Sequence, residues 1–248
     1  MDATYARHYS TLFERHWWWR AREELILATL ESLRAEKNWG SILDVGCGDG
    51  LFFEKLQKFG SVEGIEMDST GVTPDGRWAK QIHVRPFDET FHPAQNYGLI
   101  LMLDVLEHFA DPLQSLRRAV ELLQPQGRIL ITVPAFSVLW TSHDTLNRHY
   151  RRYTRRSLAD LAEQAGARIF GERYFFQWTS PVKLAVHMKE KLLPAAPEVP
   201  HVPAAWLNRF LYHLSITEER LFRKLRVPFG SSLLAIAGRP DETQEQSA

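Results

Sequence analysis

The chain has 248 residues, 44% of them hydrophobic, with 30 Lys and Arg balancing 30 Asp and Glu. That length supports one substantial core with an elaboration, or two small ones, and a net charge of zero excludes a general electrostatic nucleic-acid binder. A single cysteine, Cys47, excludes an internal disulfide and fits a reducing compartment.

Met1 to Arg7 has no signal-peptide character, and no run reaches the ~18–20 apolar residues of a membrane span, so a cytoplasmic protein is expected. Trp18, Arg22, Leu25, Thr29 and Leu33 then step along one helical face, which predicts a helical cap within residues 1–35. Three consecutive tryptophans, Trp17 to Trp19, cannot all face one core from a helix. They form either an aromatic lid or a pocket wall, with Trp18 as the candidate contact and Arg20 or Arg22 near an anionic group.

The apolar run Ser41 to Val45 predicts a buried strand, and Leu51 to Phe59 has apolar residues at helical spacing. Between them lies Asp44-Val-Gly46-Cys47-Gly48-Asp49-Gly50. Strand, glycine-rich turn and helix bring backbone N–H groups close to a ligand at the carboxyl end of a sheet. Glycine serves there because it accepts positive φ and has no Cβ to hold a ligand off. The dinucleotide fingerprint G-x-G-x-x-G fails, because position 51 is Leu. The next strand, Val62 to Glu66, ends on a carboxylate that can accept both hydroxyls of a ribose diol.

This stretch resembles motif I of the class I S-adenosylmethionine (SAM)-dependent methyltransferases, of the kind that includes ubiquinone-type O-methyltransferases. The resemblance implies an α/β fold with a doubly wound, seven-stranded, Rossmann-like sheet. It implies SAM as methyl donor, S-adenosylhomocysteine as product, and cofactor contacts at Asp44, Gly46, Cys47, Gly48, Glu66 and Met67. The loop after the third strand, Gln81 to Arg85, would bracket adenine through Phe87 and Asp88. The fourth strand, Tyr97 to Leu103, is continuously apolar, as a strand buried on both faces should be; Leu103 at its end is a further cofactor candidate.

Asp104, Glu107 and His108 follow at i, i+3 and i+4, a spacing that would hold a divalent metal on one helical face, although capping is the favoured role and no metal site is assigned. The stretch is not the Asn-Pro-Pro-Tyr type, which counts against N-methylation of bases or glutamine. Asp111-Pro112 predicts a helix start and Pro125-Gln126-Gly127 its end, with the fifth strand at Arg128 to Val133.

The segment after that strand concentrates chemistry. It carries His143, Asp144, Arg148, His149, Tyr150, Arg151 and Arg152, with Arg155 and Arg156 beyond. His143 and His149 are the candidate bases, with Asp144 able to orient one of them. The arginines with Tyr150 point to an anionic acceptor. Thr154 begins another helix, Arg168 to Trp178 reads as the sixth strand and Ser231 to Ala237 as the seventh.

The expected organisation is a cap over 1–35, a SAM-binding domain over 36–178 and 230–240, a helical insertion over 179–229 and a disordered tail over 241–248. The insertion reads as a lid, a homodimer contact or a peripheral membrane surface. The favoured activity is O-methylation of a small or lipid-linked anionic acceptor. A non-catalytic SAM-binding scaffold and an NAD(P)-dependent oxidoreductase are the alternatives; Leu51 counts against the latter.

Overall fold

The structure is a computed structural model; it describes residues 10–33, 39–193 and 199–240, so the expected tail and part of the insertion's proline-rich break lie outside the described residues. The strands are β1 (Ser41–Val45), β2 (Ser61–Glu66), β3 (Ile82–Val84), β4 (Tyr97–Leu103), β5 (Leu123–Pro134), β6 (Arg168–Phe175) and β7 (Ser232–Gly238). They form one seven-stranded sheet in the order β3-β2-β1-β4-β5-β7-β6, the expected α/β arrangement. β1 pairs in parallel with β2 and with β4, and the parallel pairing continues from β2 to β3 and from β4 to β5.

The principal helices are α1 (Trp17–Leu33), α2 (Phe53–Leu56), α3 (Pro112–Glu121), α4 (Ser142–Leu146), α5 (Arg155–Gln164), α6 (Thr179–Leu192) and α7 (Ala205–Phe222). Residues 10–15 are also helical. The chain divides into two compact units. One holds Lys37–Val133, Tyr153–Glu172 and Leu234–Ala248; the other holds Met1–Glu36, Pro134–Arg152 and Arg173–Leu233.

The first unit is the sheet unit. Every residue of β1 is buried, as are the first six of β4. At roughly 1.5–3 kcal/mol for each fully buried large apolar side chain, these central strands carry much of the unit's stability. α3 begins as its sequence dictates, with the Asp111 carboxylate accepting from the N–H groups of Leu113 and Gln114 and Pro112 filling the first turn.

Three elements differ from the sequence expectation. α2 is a single turn rather than a helix over Leu51 to Phe59, because three-residue bonds such as Phe59 N–H to the Leu56 carbonyl tighten its end. β5 starts at Leu123 rather than Arg128. Pro125-Gln126-Gly127 forms a bulge within it, with Gln126 at φ 61°, where the partner register jumps from Tyr97↔Leu123 to Leu99↔Arg128. β6 stops at Phe175, since Phe176 takes φ 56°.

The second unit is helical. The His16 imidazole accepts the Trp18 N–H at 3.1 Å and so caps α1. The three tryptophans occupy one aromatic cluster: Trp17 lies 5.2 Å from Trp178, Trp18 lies 5.9 Å from Phe176, and Trp18 and Trp19 are 5.1 Å apart. Only Trp19 is fully buried. α1 and α7 join through the Tyr212 hydroxyl, which donates to Glu24, and through the Arg20 guanidinium stacked over the Tyr212 ring.

Candidate active site

In the sheet unit the glycine turn leaves β1 at Val45. The Gly46 N–H continues the sheet by donating to the Ile65 carbonyl at 2.8 Å. Gly46, Gly48 and Gly50 have φ of 73°, 53° and 70°. A Cβ at Gly46 would stand 2.7 Å from Val105 Cγ2, so this position needs glycine on two counts. A Cβ at Gly48 would meet nothing within 4 Å. The space above Gly48 is therefore open to a ligand.

Glu66 ties this turn to the loop after β2. One carboxylate oxygen accepts the Gly48 N–H at 3.0 Å and the other the Asp68 N–H at 3.0 Å. Two of about four acceptor sites on an ionised carboxylate are thus used and two remain, which fits a ribose diol. Asp49, unassigned by the motif reading, fixes the same two loops by accepting the N–H and the hydroxyl of Thr73, each at 2.9 Å.

Asp44 is buried inside β1. Burial, then the Asp44 and Glu66 carboxylates, push the Cys47 thiol far above its ordinary range. It stays protonated and packs as a small side chain. The open space over Gly48 and the spare acceptors of Glu66 fit the SAM that the fold implies.

The other expected cofactor contacts fall differently. Met67 is 70% exposed at the loop surface. Phe87 is buried with its ring near Phe91, a core position rather than an open platform for adenine. The Asp88 carboxylate is engaged locally by the N–H and hydroxyl of Thr90. Leu103, at the end of β4, is half-buried. Asp104 turns the chain out of β4 at φ 54°, ahead of a short 3-10 turn, Leu106–His108. Asp104, Glu107 and His108 therefore do not share one face of an α-helix.

In the helical unit the candidate residues gather around α4. The Asp144 side chain is wholly buried and holds both ends of this five-residue helix. One of its oxygens accepts the Thr141 N–H at 2.9 Å. At the other end the His149 N–H donates to the Asp144 carbonyl, and Arg148, at φ 57°, donates to the Thr145 carbonyl, the two bonds of a Schellman stop. That turn returns the chain so that His149 Nδ1 meets Asp144 Oδ1 at 2.9 Å.

Arg152 completes the cluster. Its guanidinium donates to both Asp144 oxygens, at 2.9 and 2.8 Å, and to the Ala135 carbonyl at 3.0 Å. Its side chain is 1% exposed, so it serves Asp144 and is removed from the expected acceptor-binding set. Burial works to raise the Asp144 carboxyl, but the hydrogen bonds from His149 and Arg152 outweigh it and hold it well below the usual carboxylate range. An ionised carboxylate can only accept, so His149 carries its proton on Nδ1 and leaves Nε2 as the basic nitrogen.

His143 is different. Burial, reinforced by the Lys183 charge, lowers its pKa to about 4, and its Nε2 lies 3.0 Å from the Asn147 amide nitrogen. Among the remaining acceptor candidates, Arg148 and Tyr150 are exposed, Arg151 is half-buried, and Trp18 belongs to the aromatic cluster.

α6 supplies two groups that the sequence did not signal. Glu190 accepts the N–H and the hydroxyl of Ser142, at 2.8 and 2.7 Å, at the start of α4. His187 Nδ1 lies 2.5 Å from the Trp140 carbonyl. Both partners are 47 or 48 residues away in sequence, beyond the reach of any local pattern.

A sheet in this strand order, with an acid-x-Gly-x-Gly turn after its first strand and a carboxylate ending its second, is that of a class I SAM-dependent methyltransferase. Residues 18–170 match the family model described as a methyltransferase domain, and the chain belongs to that family. It is similar to the ubiquinone biosynthesis O-methyltransferase of Coxiella burnetii, at 27% identity over 119 residues, covering 45% of this chain and 46% of that protein. The chain thus matches about half the length of that curated relative. Among solved structures, the fold is shared with a methyltransferase of Haloferax volcanii solved with its activator (TM-score 0.59, 16% identity, 96% of each chain). It is also shared with a SAM-dependent methyltransferase of Archaeoglobus fulgidus (TM-score 0.51, 16% identity, 87% of this chain and 93% of that one).

Proposed function

We propose that the chain transfers a methyl group from SAM to an oxygen of a small or lipid-linked anionic acceptor, with His149 as general base. The observation that carries this reading is the buried Asp144 carboxylate, which fixes the His149 tautomer and is itself held ionised by Arg152. When bound, SAM supplies an electrophilic methyl on a sulfonium. The chain's own task is then to hold an acceptor oxygen in line and to take its proton.

His149 suits the second task. Its Nδ1–H is fixed by Asp144, which leaves Nε2 as the nitrogen that would take the proton. His143, at about 4, is too weak a base to match a hydroxyl near neutral pH. The segment leaves the carboxyl end of β5, where open α/β sheets bind their ligands. Arg148 and Arg151 are the cations proposed to recognise the acceptor's anionic group. Asp44, Gly46, Gly48 and Glu66 are the residues proposed to hold SAM. Similarity to the Coxiella burnetii ubiquinone biosynthesis O-methyltransferase supports oxygen as the acceptor atom.

The test measures S-adenosylhomocysteine formation from a panel of hydroxylated aromatic acids and their neutral esters. His149→Ala should lower kcat by ~10²–10⁴ while leaving S-adenosylhomocysteine affinity unchanged, and His143→Ala should do far less. Wild-type turnover in His149→Ala, or turnover on amine acceptors alone, overturns the reading.

A further inference from the structure

α6 is packed inside out. Its inward stripe is polar: Lys183, His187 and Glu190 are the half-buried positions, and His187 and Glu190 are bound to Trp140 and Ser142. Its apolar residues face solvent, with Met188 51% exposed, Leu192 77% and the following Leu193 66%. A helix in water normally does the reverse.

α7 repeats the pattern on one stripe. Ser215, Ile216 and Glu218 are buried. Trp206 and Phe210, one turn apart on the outward side, are 73% and 58% exposed. This much exposed large apolar surface marks a contact site.

Charge identifies what covers it. Among the described residues of 179–229, every acid is turned inward. Glu190 holds Ser142, Glu218 is buried against the Gln177 and Trp178 N–H groups, and Glu219 pairs with Arg173. The outward charges are cations: Lys189, Lys191, Arg209, Arg223, Lys224 and Arg226 are all exposed. A second copy of the same surface would set cation against cation. An anionic lipid surface offers both partners such a face needs, acyl chain for the apolar residues and phosphate for the cations. No helix among the described residues is long and apolar enough to cross a membrane, so these helices would lie on one.

We propose that α6 and α7 form a peripheral docking surface for anionic phospholipid, with Trp206, Phe210, Leu192 and Leu193 entering the acyl boundary and the flanking lysines and arginines meeting headgroup phosphates. This inference stands on exposure and charge and does not depend on the acceptor or on His149.

The test is co-sedimentation of the full chain with vesicles of phosphatidylcholine alone and of phosphatidylcholine with phosphatidylglycerol in equal parts. Binding is expected only to the anionic vesicles and should fall as salt rises. Removing three cations by Arg223→Gln, Lys224→Gln and Arg226→Gln should lower partitioning about a hundredfold, at roughly fivefold per cation. Trp206→Ser with Phe210→Ser should lower it at least tenfold. Because these side chains are exposed, all variants should keep wild-type S-adenosylhomocysteine affinity, which separates loss of docking from loss of fold. Failure to bind anionic vesicles overturns the proposal, as does equal binding to both vesicle types. A wild-type dimer that Trp206→Ser with Phe210→Ser converts to monomer also overturns it, in favour of a second copy as the occupant.

Discussion

The Gly46–Gly50 turn is organised by its backbone; the Thr141–Arg152 segment is organised by its side chains. The turn works because three residues accept positive φ and one of them leaves space empty above it. The segment works because one wholly buried carboxylate accepts from Thr141, His149 and Arg152 at once. The first arrangement is weakened by adding an atom, the second by removing a charge. A backbone device is contiguous in sequence and tolerates little variation within it. A side-chain device is spread over a dozen residues and depends on several partners being correct together.

The largest effect should come from Asp144→Asn. It leaves the Arg152 guanidinium buried without its counter-charge, a loss of about 3–5 kcal/mol, read as a drop in the urea midpoint. Asp144→Leu combined with Arg152→Met should lose much less, because no charge is then left buried. A single-variant loss below about 1 kcal/mol would mean that the segment is not organised by charge.

Next come two glycine variants. Gly46→Ala meets Val105 at a positive φ and should lower stability by about 1–3 kcal/mol along with cofactor binding. Gly48→Ala meets no atom of the protein and should be milder in stability, about 1 kcal/mol. It should nonetheless abolish measurable binding of S-adenosylhomocysteine in calorimetry. Unchanged binding in Gly48→Ala would show that the open space over the turn is not where the cofactor lies.

A further effect is spread over pH. His16 and His143 both titrate at about 4 in the folded chain, each lowered first by burial, against about 6.5 unfolded. Between these values the unfolded chain binds more protons, so stability rises with pH across this window and falls on acidification from about 6.5 towards 4. Each histidine accounts for at most about 3 kcal/mol of that loss. Urea titrations at neutral pH and at about pH 5 should differ in wild type. The difference should shrink in His16→Gln and in His143→Gln, and an unchanged difference in both variants would assign it to other groups.

The same contrast decides what could be read from sequence. β4, the Asp111 cap, the glycine turn and Glu66 at the end of β2 were legible because each is specified by neighbouring residues. Arg152 was not. In a run of arginines nothing local marks the one that turns inward to a buried aspartate. Glu190 was invisible for the same reason, since its partner Ser142 lies 48 residues away. The end of α2 was misplaced because Leu51 to Phe59 keeps helical spacing while three-residue bonds close it after one turn. α6 shows the limit most directly. Residues 179–229 read as a helical insertion, but a helical reading alone does not say that the polar stripe of α6 faces in.

The double hold of Asp144 on α4 has an evolutionary consequence. Replacing it cannot be a single step, since His149 loses its orientation and Arg152 its counter-charge in the same event. Under the proposed reading, change of acceptor preference among descendants of this chain is then expected at the neighbouring Arg148, Tyr150 and Arg151. Residues 148–152 would thus interleave positions tied to the buried carboxylate, His149 and Arg152, with positions of the proposed acceptor contact.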